Sequence, residues 1–346
     1  MTDLRVEPSQ QSRSARMLGT LLRSRELSIA IVLVLIVLAA TARRSTFVFS
    51  GDGWRDTLLA PSILLLLAIG QMVVIVTRNV DLSVGSTLGA TAYVTGKIFI
   101  ANPETNVVLV FLAGLLVGAA LGAVNGLLVA FFRVPALVVT LGTMYIFRGV
   151  LTNQIGNDRI VAGDIPANFE KLGTQQILTI PVLTLIGLLV LAIVGYYLHT
   201  ARGGRELYAI GSDPDAAKLY GLNVGKRVFA AFVLCGALAG LAGVFSVARY
   251  ATAFAGTGRD LELQAVAAVV IGGVAIFGGS GSVWGAAIGA FLLVTINRAL
   301  PILGISDFWQ GAVVGGLIIG SIVLDRVLML RRTHQLVEAR DTTGTP

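Results

Sequence analysis

Residues 106–132, NVVLVFLAGLLVGAALGAVNGLLVAFF, form a run of 27 without one charged side chain, and the reading of this run decides the fold. As an α-helix it spans about 40 Å, more than the roughly 30 Å hydrocarbon layer of a bilayer. A helix this long in water needs a polar face, yet only Asn106 and Asn125 interrupt the apolar character here. The rest of the chain repeats the pattern. Charged residues make up 13% of the 346, about half the share of an ordinary soluble domain, and hydrophobic residues reach 55%. The charges sit in clusters between long apolar runs, so the membrane is the solvent to reason with.

Ten segments read as spans, at residues 27–42, 57–77, 87–101, 106–132, 135–152, 178–198, 228–249, 263–277, 283–300 and 310–327. The expected fold is an all-α integral membrane protein of about ten transmembrane helices. It divides into an N-terminal tail at 1–26, a transmembrane domain at 27–328 and a C-terminal tail at 329–346. The third and eighth spans are short and contain glycine, which suits segments packed inside a bundle, or broken ones. With the amino terminus in the cytoplasm, 16 of the 26 Lys and Arg fall on the inner side, among them Arg78, Arg133, Arg202, Arg205 and Arg227. Both termini are then cytoplasmic. The first span, ending near Ala40-Thr41-Ala42, imitates a cleavable signal peptide, but Arg43 and Arg44 follow at once and favour a retained anchor.

Several chemistries are excluded by composition. Cys235 is the single cysteine and lies in an apolar run, so no disulfide forms within the chain and its role is that of a small buried residue. His199 and His334 are the only histidines and stand far apart, which argues against a histidine metal site or a catalytic pair. The net charge of +7 comes from basic residues flanking apolar spans, not from a basic soluble face, so nucleic acid is not an expected partner. Gly221-Leu222-Asn223-Val224-Gly225-Lys226-Arg227 fails as a phosphate loop, because the lysine is one residue early and no Ser or Thr follows. Gly279-Ser280-Gly281 reads as a tight turn between spans eight and nine.

One internal echo bears on architecture. Gly118-Ala119-Ala120-Leu121-Gly122-Ala123 in the fourth span returns as Gly285-Ala286-Ala287-Ile288-Gly289-Ala290 in the ninth. Two inverted five-helix halves place these spans at equivalent positions. Small residues at four-residue spacing also recur wherever helices pack closely in lipid. The sequence leaves both readings open.

Polar residues within or beside spans are the candidates for function. Asp81, in RNVDLSVGS (78–86), is an acid near the hydrocarbon, and such an acid is paired or faces water. Arg78 lies three residues away, so an ion pair or a cap on the third helix is the structural account; a gate or fixed point of a translocation path is the functional one. Gln71 and Asn125 are uncharged hydrogen-bonding residues within spans, and Arg148 is a charge near the outer end of the fifth. Each suits a path for a neutral polyhydroxylated solute, and each equally suits a bond to a neighbouring helix. Trp54 and Trp309 stand at span ends as interface anchors.

The longest inner loop is HTARGGRELYAIGSDPDAAKLYGLNVGKR at 199–227. Gly203-Gly204 is expected to break the preceding helix, Ser212-Asp213-Pro214 to cap a new one, and 215–220 to form a short helix stopped by Gly221. Such a helix is either a solvated connector or an element that passes movement from a soluble partner to the bundle.

Five stretches in series then resemble one family: TRNVDLSVGS (77–86), RVPALVVTLGTMYIFRG (133–149), the 199–227 loop, ELQAVAAVVIGGVAIFGGSGSVWGAAIGA (262–290) and ALPILGISDFWQ (299–310). Together they are similar to the ribose-type permeases of bacterial ABC sugar importers. Within that family, Gly256-Thr257-Gly258 with Glu262, and residues 299–310, resemble the permeases for rhamnose and for autoinducer 2 without deciding between them. The resemblance implies an extracytoplasmic sugar-binding protein that delivers the solute and a second permease subunit, identical or paralogous, that completes the path. It also implies ATPase subunits inside that bind ATP and Mg, with no cofactor in this chain. The family's coupling motif matches at Tyr208-Ala209-Ile210-Gly211-Ser212, then Ala216-Ala217 and Gly221, which turns the connector reading into a coupling one. Asp213 stands with Ser212 where family members often carry Asn.

The reading is therefore a permease of the bacterial inner membrane, moved by its partners and not itself an enzyme. Its rival is a secondary transporter powered by an ion gradient, for which inverted halves and Asp81 also serve. A membrane enzyme fares worst, because the spans offer no paired acids and no nucleophile motif.

Overall fold

The computed structural model describes residues 25–156, 159–313, 315–317, 319, 320 and 323. Most of the N-terminal tail, the C-terminal tail and the later part of the expected tenth span lie outside the described residues. Along the chain the helices are α1 (Arg25–Arg43), α2 (Thr46–Phe49), α3 (Gly51–Leu59), α4 (Pro61–Ile75), α5 (Val84–Ala101), α6 (Val107–Ala130) and α7 (Ala136–Ile155). They continue as α8 (Ala167–Thr174), α9 (Val182–Thr200), α10 (Arg202–Ser212), α11 (Pro214–Leu219), α12 (Val224–Tyr250), α13 (Leu261–Ile271) and α14 (Val283–Ile302). A two-residue antiparallel ladder joins β1 (Gln176–Ile177) to β2 (Ile180–Pro181).

Seven of these helical stretches are long and apolar enough to cross a membrane: α1, the α3–α4 pair, α6, α7, α9, α12 and α14. The all-α membrane architecture follows from their sequences. Every residue of α4 is buried, as its unbroken Pro-Ser-Ile-Leu-Leu-Leu-Leu run requires of a helix apolar on all sides. On α6 the buried positions are Val110, Gly114, Gly118, Gly122, Asn125 and Gly126, a narrow stripe, while Leu109, Leu112, Leu116 and Leu127 on its other faces are exposed to what the membrane supplies.

Glycine makes the central contact. A Cβ on Gly118 would strike the Gly236 carbonyl and stand 2.7 Å from the Gly240 Cα, and one on Gly236 would stand 2.7 Å from the Gly122 Cα, so α6 and α12 touch backbone to backbone. In the same way Gly285 and Gly289 of α14 meet Gly272, just past the end of α13, and Ala268 within it. The two copies of the sequence echo thus perform the same close packing against different partners. Cys235, buried against Gly70, is the small apolar filler expected.

The third and eighth expected spans are internal elements. α5 is lined by buried Ser86, Thr87, Thr91 and Thr95, and α13 has only 11 residues, about 16 Å of helix and half the hydrocarbon thickness. Both start inside the bundle. Non-helical chain at 79–83 leads into α5 and the segment 251–260 into α13, and the two starts meet where the Gly258 backbone lies on the Gly85 carbonyl. Gly258 has φ +80°, and a side chain on either glycine would force the two helix starts apart.

One end of the bundle gathers residues 76–79, 200–223 and 278–282, and the other gathers 43–60, 159–181 and 250–260. At the latter, Ile160 bridges Ala253 and the Trp54 indole donates to the Thr179 carbonyl at 3.1 Å.

Candidate functional site

The expected loop 199–227 is a folded unit of two helices. The break comes at Ala201, and Gly203 and Gly204 lie inside α10, which corrects their expected role as helix breakers. Gly204 instead lets α10 fold back onto Tyr197 and Leu198 of α9, where a Cβ would lie 2.6 Å from the Leu198 Cα. Asp213 caps α11 by accepting from the backbone N–H groups of Asp215 and Ala216, both at 3.0 Å, and Pro214 opens the helix as its first residue. Those N–H groups hold the Asp213 carboxyl below its ordinary range. Gly221, at φ +77°, ends the motif.

α10 is fastened to two span ends. The Arg78 guanidinium donates to the Gly211 carbonyl at 2.5 Å and to the Ser212 carbonyl, while the Gly279 N–H donates to the Val76 carbonyl at 3.0 Å. Tyr208 donates its hydroxyl to the Gly281 carbonyl at 3.1 Å, and burial raises its pKa. Ile210, Gly211 and Ala217 are buried in this seam, whereas Ala209 and Ser212 are exposed and Ala216 is half-buried. Glu206 links α10 to α12 and to its own helix, accepting from Arg227 at 2.5 Å and Arg202 at 2.8 Å; these partners, Arg227 first, hold its carboxyl below the usual range. Beyond the seam, Leu219 and Tyr220 project almost fully, at 90% and 88% exposure. Two large apolar side chains thus stand side by side at the tip of this helix.

Three of the four polar candidates converge elsewhere. Asp81 accepts from the Ser83 N–H at 2.8 Å and the Ser83 hydroxyl at 2.7 Å. Asn125 donates to the Ser83 hydroxyl at 2.7 Å and accepts from Thr143 at 2.7 Å. With its amide oriented so that both atoms find partners, Gln71 donates to the Asp81 carbonyl at 3.0 Å and accepts from the Asp81 N–H at 3.2 Å, as a neighbouring strand would. All three are buried. They tie the non-helical segment before α5 to α4, α6 and α7. Arg78 is not the partner of Asp81: its guanidinium goes to α10, and the carboxylate is satisfied by Ser83 and Asn125.

Arg148 stands apart. Its guanidinium donates to the Ala255 and Thr257 carbonyls at 3.1 and 2.6 Å, holding the segment before α13, and Glu262 Oε2 is buried nearby with no hydrogen-bond partner. At this end a cavity of about 680 Å³ opens, lined by Arg249, Tyr250, Phe254, Gln264, Asn297 and Arg298 among others. Its size and its mix of amide, guanidinium and aromatic groups suit a small hydroxylated molecule. Sequence reasoning missed Ser83, Thr143, Arg249, Asn297 and Arg298. Hydroxyls carry no pattern of their own, and charges toward the end of a span pass for topology signals.

A family profile described as "Branched-chain amino acid transport system / permease component" matches residues 55–322. The D-allose transport system permease protein of Escherichia coli (strain K12) is 36% identical over 267 residues, covering 77% of this chain and 81% of that protein. The ribose import permease protein of the same strain is 35% identical over 298 residues, 86% of this chain and 92% of that one. The autoinducer 2 import system permease protein of Enterobacter sp. (strain 638) is 34% identical over 317 residues, 91% of each chain. No solved structure matches. A match of this extent, on a bundle of apolar helices with a folded polar unit at one end, places the chain in the family of transport-system permease components.

Proposed function

We propose that this chain is the membrane-spanning permease subunit of an ATP-driven ABC importer for a sugar or sugar-like solute in the bacterial inner membrane. One observation carries the mechanism: α10 is hydrogen-bonded to the ends of two spanning segments while the α11 tip is left exposed. Force applied at Leu219 and Tyr220 therefore reaches α4 through Arg78 and the turn before α14 through Tyr208. The partner at that tip is an ATPase subunit, which binds the ATP and Mg; this chain performs no hydrolysis.

Ten spans in two inverted five-helix halves, with both termini cytoplasmic, complete the proposal. In support, α4 runs toward the α10 end and returns as α5 after a non-helical segment, while α12 runs away from that end and returns as α13 after another. The two units have opposite sense, as inverted repeats do. The buried Gln71, Asp81 and Asn125 cluster acts as the fixed point of the path, and Arg148 holds the segment before α13 beside the cavity at the far end. A binding protein delivers solute to that end, and a second permease, identical or paralogous, completes the conduit.

The solute class rests on the D-allose, ribose and autoinducer 2 permeases among the relatives. The motif stretches resemble rhamnose and autoinducer 2 permeases without deciding between them, so the proposal stays at a sugar or furanose-derived molecule. Proteoliposomes carrying the chain with its ATPase and binding protein test it. Uptake that needs all three and ATP is the expected result; gradient-driven uptake by the chain alone would favour a secondary transporter.

A further inference from the structure

At the α10 end lies a second cavity, of about 500 Å³, where the last turn of α9, the first turn of α14 and α10 come together. Its lining mixes two chemistries. Leu198, Val283 and Trp284 are apolar or aromatic; Arg205 and His199 are basic donors, Tyr208 and Ser282 add hydroxyls, and no Asp or Glu is included. Of the neighbouring acids, Glu206 is held by Arg202 and Arg227, and Glu26 lies beside Gly285, outside the lining. Arg205 gives one N–H to the Thr200 carbonyl at 2.9 Å, and a guanidinium has five to give.

Position identifies the ligand. α9 ends at Thr200 and α14 begins at Val283, so the cavity sits at the level where apolar spans give out and the bilayer carries its phosphates. Trp284 is half exposed there, as an interfacial tryptophan is, and Gly195 lets its indole lie close against α9, with a Cβ position only 3.4 Å from Cζ2. Ile193 and Tyr196 of α9 continue an exposed face from this point toward the hydrocarbon. A ligand that satisfies cation, hydroxyl and apolar face together is amphipathic and anionic.

We propose that this cavity seats the headgroup of an anionic phospholipid, with the phosphate on Arg205 and His199 and the acyl chains alongside Trp284. The headgroup then contacts the same Tyr208 that ties α10 to the turn before α14, so the charge of that leaflet bears on the coupling end. The proposal rests on the chain spanning the bilayer and not on which solute it carries.

The test uses the full chain with Trp284 as its only tryptophan, by Trp54→Phe and Trp309→Phe, in vesicles of equal parts phosphatidylcholine and phosphatidylglycerol. One lipid or the other carries brominated acyl chains, which quench a touching indole. Quenching by brominated phosphatidylglycerol is expected to reflect about a fivefold preference, set by the Arg205 charge. Arg205→Gln should remove that preference and Arg205→Lys should keep it, which separates lost charge from lost fold. Equal quenching by the two lipids, or a preference that survives Arg205→Gln, overturns the proposal. So does a preference erased by millimolar inorganic phosphate, which would make free phosphate the ligand.

Discussion

Gly211→Ala perturbs the seam where α10 meets the span ends. A Cβ here overlaps the Val76 carbonyl and stands 2.5 Å from the Gly279 nitrogen, so α10 must retreat from both. The retreat also stretches the bonds from Arg78 to the Gly211 and Ser212 carbonyls. A hydrogen bond to a charged group contributes about 1.5–3 kcal/mol, but Arg78 is largely exposed and solvent screening leaves roughly half or less. Steric displacement adds about 1–3 kcal/mol. Together these disfavour the docked arrangement by about 2–4 kcal/mol, roughly a thirty- to thousandfold change in its population at 1.4 kcal/mol per tenfold. In proteoliposomes with the ATPase and binding protein, the expected result is at least a tenfold fall in solute taken up per ATP hydrolysed, with the amount of inserted chain unchanged. Arg78→Ala removes the two bonds without the overlap and should cost less. Uptake per ATP at the wild-type ratio in Gly211→Ala would refute the reasoning.

Other consequences follow from the same geometry. Asn125→Leu removes bonds to Ser83 and Thr143 and should lower stability by about 1–3 kcal/mol, read as a lower midpoint of thermal unfolding in detergent. Asp81→Asn keeps an acceptor for Ser83 and should transport nearly normally once corrected for folded protein; lost transport with intact folding would make the charge itself part of the path. Gly118→Leu drives a side chain into the α12 backbone and should destabilise by about 1–3 kcal/mol or prevent assembly, whereas Leu116→Ala, exposed on the same helix, should do neither. Glu206 has a folded pKa below its unfolded one, so its clamp on Arg227 is intact above the ordinary glutamate value of 4.5 and is lost as pH falls through the lower folded value. Protease cleavage in 201–223 should rise only in that acid range, and Glu206→Gln should abolish the dependence.

The membrane fold was legible because apolar length is a property of sequence alone: runs such as 106–132 have no other stable use. The motif at 208–221 was legible for a local reason, since Asp213, Pro214 and Gly221 act on neighbours two or three residues away. Gln71, Asp81 and Asn125 were each recognisable as polar residues out of place, but not as one cluster, because their meeting depends on how α4, α5 and α6 pack. The Arg78 and Asp81 pairing failed for the opposite reason. Three residues of separation suggest contact only on a helix, and the chain from Arg78 to Asp81 has left the helix, sending the two side chains to different partners. Gly203-Gly204 misled likewise: glycine weakens a helix, but Gly204 is kept for its close approach to α9.

If another protein grips the α10–α11 end from the cytoplasm, as proposed, cysteine labelling will reveal it. Cys235 is the only native cysteine and is buried, so a membrane-impermeant thiol reagent reports on Leu219→Cys with little background. The account expects Leu219→Cys to react in inside-out vesicles stripped of ATPase, to be protected when the ATPase is added back, and to stay silent in intact cells. Reaction from outside intact cells, or labelling indifferent to the ATPase, would contradict it.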